Sequence, residues 1–301
     1  MSQFRSTRVE VNGWVVLDKP IGITSTHAVS RLKRIFNGKK AGHAGTLDPL
    51  ASGILPIAFG EATKTVPFVQ DGEKVYRFEV RWGVETDTDD ADGKVVRTSE
   101  QRPQPQEIAA LLPRFIGNIM QTPPSFSAIK IAGERAYDLA RDGETVTIEP
   151  RQVTIHALDL VEVTQDTAIF AAACGKGTYV RAIARDLGRL LGCYGHVTAL
   201  RRTRVGPFTE LDAVPLADLE AEGADPLQAL LCVEAGLTEL HCVVVDRSSA
   251  ARLRRGQPLL LRGRDAPADG AAYAACGGVV VATGQVEQGE LVPARVFNLP
   301  F

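Results

Sequence analysis

Residues 74–84 read KVYRFEVRWGV, and they alternate without a break. Tyr76, Phe78, Val80, Trp82 and Val84 fall on one side, Arg77, Glu79 and Arg81 on the other. A period of two is what a strand covered on one face requires, so the stretch predicts a long β-strand against a core. Upstream, GWVVLDKP at 13–20 and ILPIAFG at 54–60 read as buried strands. Between them, Thr24 and Ser25 are N-cap candidates for a helix with Ala28, Val29, Leu32, Ile35 and Phe36 on one face, closed by Gly38. Downstream, the spacing predicts a helix near 106–117 and strands near 145–149, 152–163 and 167–174. A helix from about Tyr179 to Leu191 follows, and HVTALRRTRVGPF at 196–208 returns as a strand. The polar, Pro- and Gly-punctuated stretch 121–144 reads as an insertion rather than core.

Residues 212–238, rich in Ala, Glu, Asp and Pro, read as the end of a first domain and a linker. From about 240 come HCVVVD, PLLLRG, GGVVVATGQV and LVPARVF, with one short helix in DRSSAARLRRG. That is the pattern of a small barrel, and the stretch 265–278 is Ala/Gly-rich. The expected organisation is α+β: a larger domain over 1–238 and a compact β unit over 239–301.

Composition narrows the class further. A chain of 301 residues with 45% hydrophobic and 23% charged side chains can build two cores. No apolar run approaches the roughly 20 residues that span a bilayer. MSQFRSTRVEVNG lacks the apolar centre of a signal peptide, so a cytoplasmic location is expected. Five widely spaced cysteines with no C-x-x-C pair argue against a disulfide framework or a zinc site, and mostly buried thiols are expected. Net charge is −2, but it is unevenly spread. RLKRIFNGKK at 31–40 and RRTR at 201–204 are basic, as phosphate contacts require. ETDTDDADG at 85–93 is acidic and is expected to face away from any polyanion.

Three stretches could carry chemistry. GHAGTLDPLASG at 42–53 holds one acid, Asp48, between Leu47 and Pro49. An Asp-Pro pair in a loop reads as a turn, whereas a carboxylate held stiffly beside apolar side chains reads as a nucleophile or acid/base group. CGKGTYVRAIARDLG at 174–188 runs through a glycine turn into a helix that presents Tyr179 and Arg181 in its first turn. That arginine could clamp a carboxylate or simply sit on a helix surface. Tyr76 shares the apolar face of the 74–84 strand and could be a rim residue or a stacking platform.

These segments occur in one order, with GWVVLDKPIGITS before them, LDPLASGILPIAFGEATK continuing the first and ALRRTRVGPF after. Together they resemble, over nearly the whole length, the bacterial tRNA pseudouridine synthases that modify uridine 55 in the T-loop. The end of the chain, GELVPARVF, resembles a PUA domain, a small RNA-binding β module. The resemblance implies a mixed, largely antiparallel central sheet flanked by helices. It implies Asp48 as catalytic nucleophile, Arg181 as its ion-pair partner and Tyr76 as the ring stacked on the target base. Tyr179 and Leu200 would line the uridine pocket, His43 would enter the T-loop, and Lys64 and the basic helix at 31–40 would contact phosphates. The segment 121–150 would close on the RNA.

The implied reaction moves one glycosidic bond from N1 to C5 of the same uracil. No electrons enter and no group is lost, so no cofactor or metal is expected. The implied partner is the T-arm of tRNA, met by a monomer with no membrane and no obligate protein partner. Three alternatives remain: an RNA-binding or tRNA-folding protein without catalysis, a guide-RNA-dependent pseudouridine synthase, and a glycoside hydrolase. The last usually needs two carboxylates flanking the bond, and no second acid stands among the motifs.

Overall fold

The computed structural model describes residues 8–127, 130–131, 134–135, 148–261 and 268–300. The chain begins with β1 (Gly13–Lys19), α1 (Ser25–Ile35), β2 (Ala41–His43), β3 (Ser52–Phe59), α2 (Val66–Asp71) and β4 (Lys74–Trp82). A side hairpin, β5 (Val84–Thr86) and β6 (Val95–Thr98), precedes α3 (Pro105–Leu111) and β7 (Gly117–Gln121). Then come the short pair β8 (Lys130–Ile131) and β9 (Glu134–Arg135), β10 (Arg151–Val163), β11 (Thr167–Cys174) and α4 (Val180–Leu190). The first part closes with β12 (Gly195–Val205), β13 (Phe208–Thr209), β14 (Val214–Pro215) and α5 (Leu216–Glu220).

Ten of these strands form one sheet, ordered β14-β1-β3-β12-β4-β11-β10-β7, with β13 on β12 and β2 on β3. Only β1–β14 and β3–β12 pair in parallel; the other pairs are antiparallel. The expected mixed, largely antiparallel sheet is present. In β4, Phe78, Val80 and Trp82 are buried, as the alternation requires, while Val84 falls beyond Gly83 in the side hairpin. β1 and β3 read as unbroken apolar runs because both faces of the sheet are covered there. Pro56 sits inside β3 without breaking it. β12 pairs only with Ser52 and Gly53, and β2 takes up from Ile57, so no partner strand needs the missing N–H.

One face of the sheet, with Val15, Leu17, Leu55, Phe78 and Phe170, packs against α1, α3 and α4. The other face, with Trp14, Val16, Ile54 and Val205, packs against a 3₁₀ turn at Val233–Leu237 and against Val280 and Phe297. Val280 lies in, and Phe297 directly follows, a five-stranded sheet, β15 (His241–Val244), β16 (Leu259–Leu260), β17 (Gly270–Cys276), β18 (Val279–Glu287) and β19 (Glu290–Val296), ordered β15-β17-β18-β19-β16. Helix α6 (Arg247–Arg254) closes its own core through Ala250 and Leu253. The arrangement agrees with the PUA-like unit expected there.

Local expectations change in two places, the 212–238 stretch and the helix near 106–117. The 212–238 stretch is not a free linker: β14 joins the main sheet, and Val233 and Leu237 are buried. The Ala/Gly-rich tract holds β17, whose small side chains fit under α6. The helix near 106–117 ends at Leu111 and tightens into a 3₁₀ turn, because Pro113 has no N–H to continue it. The strand expected at 145–149 lies mostly outside the described residues. All five cysteines are free; Cys174, Cys193 and Cys276 are buried, as expected of most, and Cys232 and Cys242 are exposed.

Candidate active site

Asp48 lies in the loop between β2 and β3. The Ser25 hydroxyl accepts the Leu47 N–H at 2.8 Å and donates to the Leu47 carbonyl at 2.9 Å. Gly22 N–H donates to the Pro49 carbonyl at 2.8 Å, and Ala51 N–H to the Asp48 carbonyl at 3.1 Å. The backbone is therefore pinned on both sides of the carboxylate. Leu47 and Ala51 are buried beside it.

Arg181 is the second residue of α4, whose Val180, Ile183, Ala184 and Leu187 face the core. Its Nε stands 3.0 Å from Asp48 Oδ2. That N–H is not aligned on the oxygen, so the contact is a charge pair rather than a full hydrogen bond. Nη1 reaches Asp90 Oδ2 at 3.3 Å and donates to the Thr88 carbonyl at 2.9 Å, while Nη2 donates to the Phe126 carbonyl at 3.0 Å.

The acidic run does not face away. Arg181, Arg185 and Arg189 follow one another at helical spacing along one side of α4 and meet Asp90, Asp89 and Glu85 in turn. Arg185 Nη1 lies 3.0 Å from Asp89 Oδ2, and Arg189 Nε lies 2.7 Å from Glu85 Oε2. These acids are buried, and burial pushes the Asp89 carboxyl up to about 6 against the pull of Arg185. Arg185 also donates to the Thr122 carbonyl. Two arginines of this ladder thus hold the chain where it leaves β7.

Tyr76 is half-buried on β4, packed on the main core. Burial raises its phenol above the ordinary value; Arg202 works against that, and Asp48 is close enough to add to it. Tyr179 is the N-cap residue of α4, and Gln121 grips its backbone at both N–H (2.8 Å) and carbonyl (3.2 Å). Its phenol is likewise raised by burial and by Asp48. Leu200 is buried on β12 opposite Phe78. His43 ends β2, and burial followed by the charge of Arg202 lowers its pKa, which keeps the imidazole neutral. Its Nδ1 has no hydrogen-bond partner among the described residues.

Asp48, Arg181, Tyr76 and Tyr179 are therefore brought together. Lys64 is not. Its ammonium pairs with Glu61 at 2.7 Å, donates to the Val296 carbonyl at 2.8 Å and lies over the Phe297 ring, in the joint with the C-terminal sheet. The RRTR patch is also mostly spent: Arg201 pairs with Asp18 and Glu210, and Arg202 is turned inside the fold. On the basic helix, Arg31 pairs with Glu220, while Lys33, Arg34 and Arg8 line a cleft of about 410 Å³.

Sequence reading missed Lys19, Ser25, Asp90, Gln121 and Arg202. Lys19 is fully buried and donates to the Pro20 and Ile23 carbonyls. Burial pushes its ammonium down to about 8, with Asp48 holding it up and Arg202 pressing it lower. The adjacent hydroxyls at 24 and 25 were a signal: Thr24 caps α1, which frees Ser25 for the loop.

Among solved structures, a chain of a Cbf5-Nop10-Gar1 complex superposes with a TM-score of 0.73 at 25% identity, covering 95% of this chain and 84% of that one. The large mixed sheet and its appended β unit define the class, the pseudouridine synthases. The model of the TruB family pseudouridylate synthase N-terminal domain matches residues 33–180, and that of the tRNA pseudouridylate synthase B C-terminal domain matches 181–238. Curated relatives named tRNA pseudouridine synthase B include that of Rhodopseudomonas palustris, 61% identical over 98% of this chain and 83% of the relative. That of Bradyrhizobium diazoefficiens is 61% identical over 99% and 89%. The chain belongs to the TruB family of pseudouridylate synthases.

Proposed function

We propose that this protein isomerises uridine 55 in the T-loop of tRNA to pseudouridine, as a stand-alone cytoplasmic enzyme and without a cofactor. One observation carries the reading: a single carboxylate, Asp48, is pinned by its loop, paired with buried Arg181, and still a third open to the outside. The open side is where a ribose would sit. The target nucleotide leaves its stack at a cost of a few kcal/mol, and stacking on an aromatic ring returns roughly 1–3 kcal/mol. Tyr76 is that ring, with Tyr179 and Leu200 around the base. Neutral His43 enters the T-loop without a charge to desolvate.

The carboxylate acts on the sugar as the N1–C1′ bond breaks, either by trapping C1′ or by assisting loss of the C2′ proton. The uracil turns, C5 bonds to C1′, the C5 hydrogen leaves as a proton, and N1 takes one up. Atoms and electrons balance with no external reagent. Residues 1–238 form the catalytic unit; the expected closing segment, 121–150, lies mostly outside the described residues. Residues 239–301 form an RNA-binding unit that presents exposed Arg247, Arg252 and Arg255. The protein is taken to act as a monomer.

An unmodified tRNA transcript incubated with the protein and mapped for pseudouridine tests the reading. Conversion at position 55 is expected. Tight binding with no conversion would leave an RNA-binding protein, and conversion only with an added guide RNA would leave the guide-dependent alternative.

A further inference from the structure

We propose that Arg202 is a positioning residue of this site, holding the backbone of the Asp48 loop from its place on the strand beside Tyr76 so that nucleophile and stacking ring keep one fixed relation. The proposal rests on the roles given above to Asp48 and Tyr76.

Arg202 is 1% exposed, the most deeply buried arginine among the described residues. Its Nε donates to the Ile54 carbonyl at 2.8 Å, Nη1 to the Thr46 carbonyl at 3.2 Å and Nη2 to the Gly45 carbonyl at 3.1 Å. Thr46 and Gly45 lead directly into Leu47 and Asp48. Arg202 also stands on the strand beside Tyr76, and its guanidinium works against the burial that raises the Tyr76 phenol. Register makes this possible. β12 lies between β3 and β4, and Arg202 pairs with Gly53 on one side and Tyr76 on the other. A Cβ at Gly53, whose φ is +99°, would come within 2.2 Å of the Arg202 carbonyl, so only glycine lets the strands close here. An extra residue in β12 between Arg202 and Arg204 breaks the ladder just past this point, as bulges do where a side chain is re-aimed.

Among the described residues no carboxylate lies within 4.0 Å of Arg202, whereas Arg201 beside it has two. Burying a cation without an acid is costly, and well-packed apolar side chains serve stability as well or better. Carbonyl oxygens are the remaining compensation, and these belong to the segment that must be held still. A planar guanidinium suits this role because it offers five donors in fixed directions, and a lysine offers none of that geometry.

The test compares wild type, Arg202→Lys, Tyr76→Phe and the double variant in single turnover on an unmodified tRNA transcript. Arg202→Lys is expected to lower the rate constant about 100-fold, with tRNA Kd moved by less than about threefold. The same change is expected to cost much less in the Tyr76→Phe background. Arg202→Met is expected to lose more than Arg202→Lys, since it also removes the charge. A rate within about twofold of wild type for Arg202→Lys, or equal losses in both backgrounds, would overturn the proposal.

A readout without turnover separates this proposal from the functional one. NMR titration of tyrosine labelled at Cζ follows the Tyr76 phenol, which Arg202 faces together with Cys174 and Asp48. Arg202→Lys is expected to move that titration to higher pH. An unmoved titration removes the link, whether or not wild type makes pseudouridine.

Discussion

Arg181 Nε stands 3.0 Å from Asp48 Oδ2, and the two are unequally covered: the arginine side chain is 6% exposed, the aspartate 35%. The cation belongs to the fold and the anion to the pocket. Arg181 is held from behind by Asp90 and by the Thr88 and Phe126 carbonyls, so its position does not depend on Asp48. Asp48 is free to engage a substrate without the site falling apart.

Replacing that anion should therefore be silent for folding. Asp48→Asn is expected to melt like wild type, bind tRNA, and lose roughly 10³-fold or more in turnover. Pseudouridine yield and thermal unfolding measured on one preparation check both halves. Turnover near wild type would take Asp48 out of the nucleophile role.

Arg181→Lys keeps the charge and loses the fork. One ammonium cannot reach Asp48, Asp90 and two carbonyls at once. Most activity should go, roughly 10²-fold, with little change in tRNA affinity. Retention of the wild-type rate would place Arg181 on the structural side.

Lys19 provides a test by pH. Its folded pKa of about 8 lies below the usual 10.5. Between those values the unfolded chain holds a proton that the folded chain has released, so unfolding free energy should rise with pH across that window. Asp48→Asn removes the carboxylate that holds the ammonium up, so Lys19 should then titrate lower still. Heteronuclear NMR of the lysine Cε resonances reads both; titration above 10 in wild type would contradict the burial argument.

Phe297 tests the joint between the two sheets. It is fully buried beside Trp14 and Phe208 in the core of the second face, under the Lys64 ammonium. Phe297→Ala should cost about 3–5 kcal/mol in denaturant unfolding. A loss below about 1 kcal/mol would mean that the C-terminal sheet does not depend on this contact.

Much of the architecture was legible in the chain because period and punctuation are local properties. The alternation of KVYRFEVRWGV placed β4, the apolar run of GWVVLDK placed β1, and the turn GKGT placed the start of α4. The motif order also pointed to Asp48, Arg181 and Tyr76. Charge was misread where partners come from far away. ETDTDDADG looks like a solvated loop until α4 sets three arginines against it, and RRTR looks like a phosphate patch until β12 turns Arg202 inward.

Residue types and their spacing were thus enough to define strands, helices, the order of the motifs and the acid at their centre. Only the packed sheet decided which cation meets which anion, that Lys64 serves a joint, and that Arg202, on the strand beside Tyr76, donates to carbonyls of the Asp48 loop. Hydrophobic periodicity acts over a few residues and is written along the chain. Ion pairing and burial of charge depend on which strands become neighbours, and that exists only once the sheet has closed.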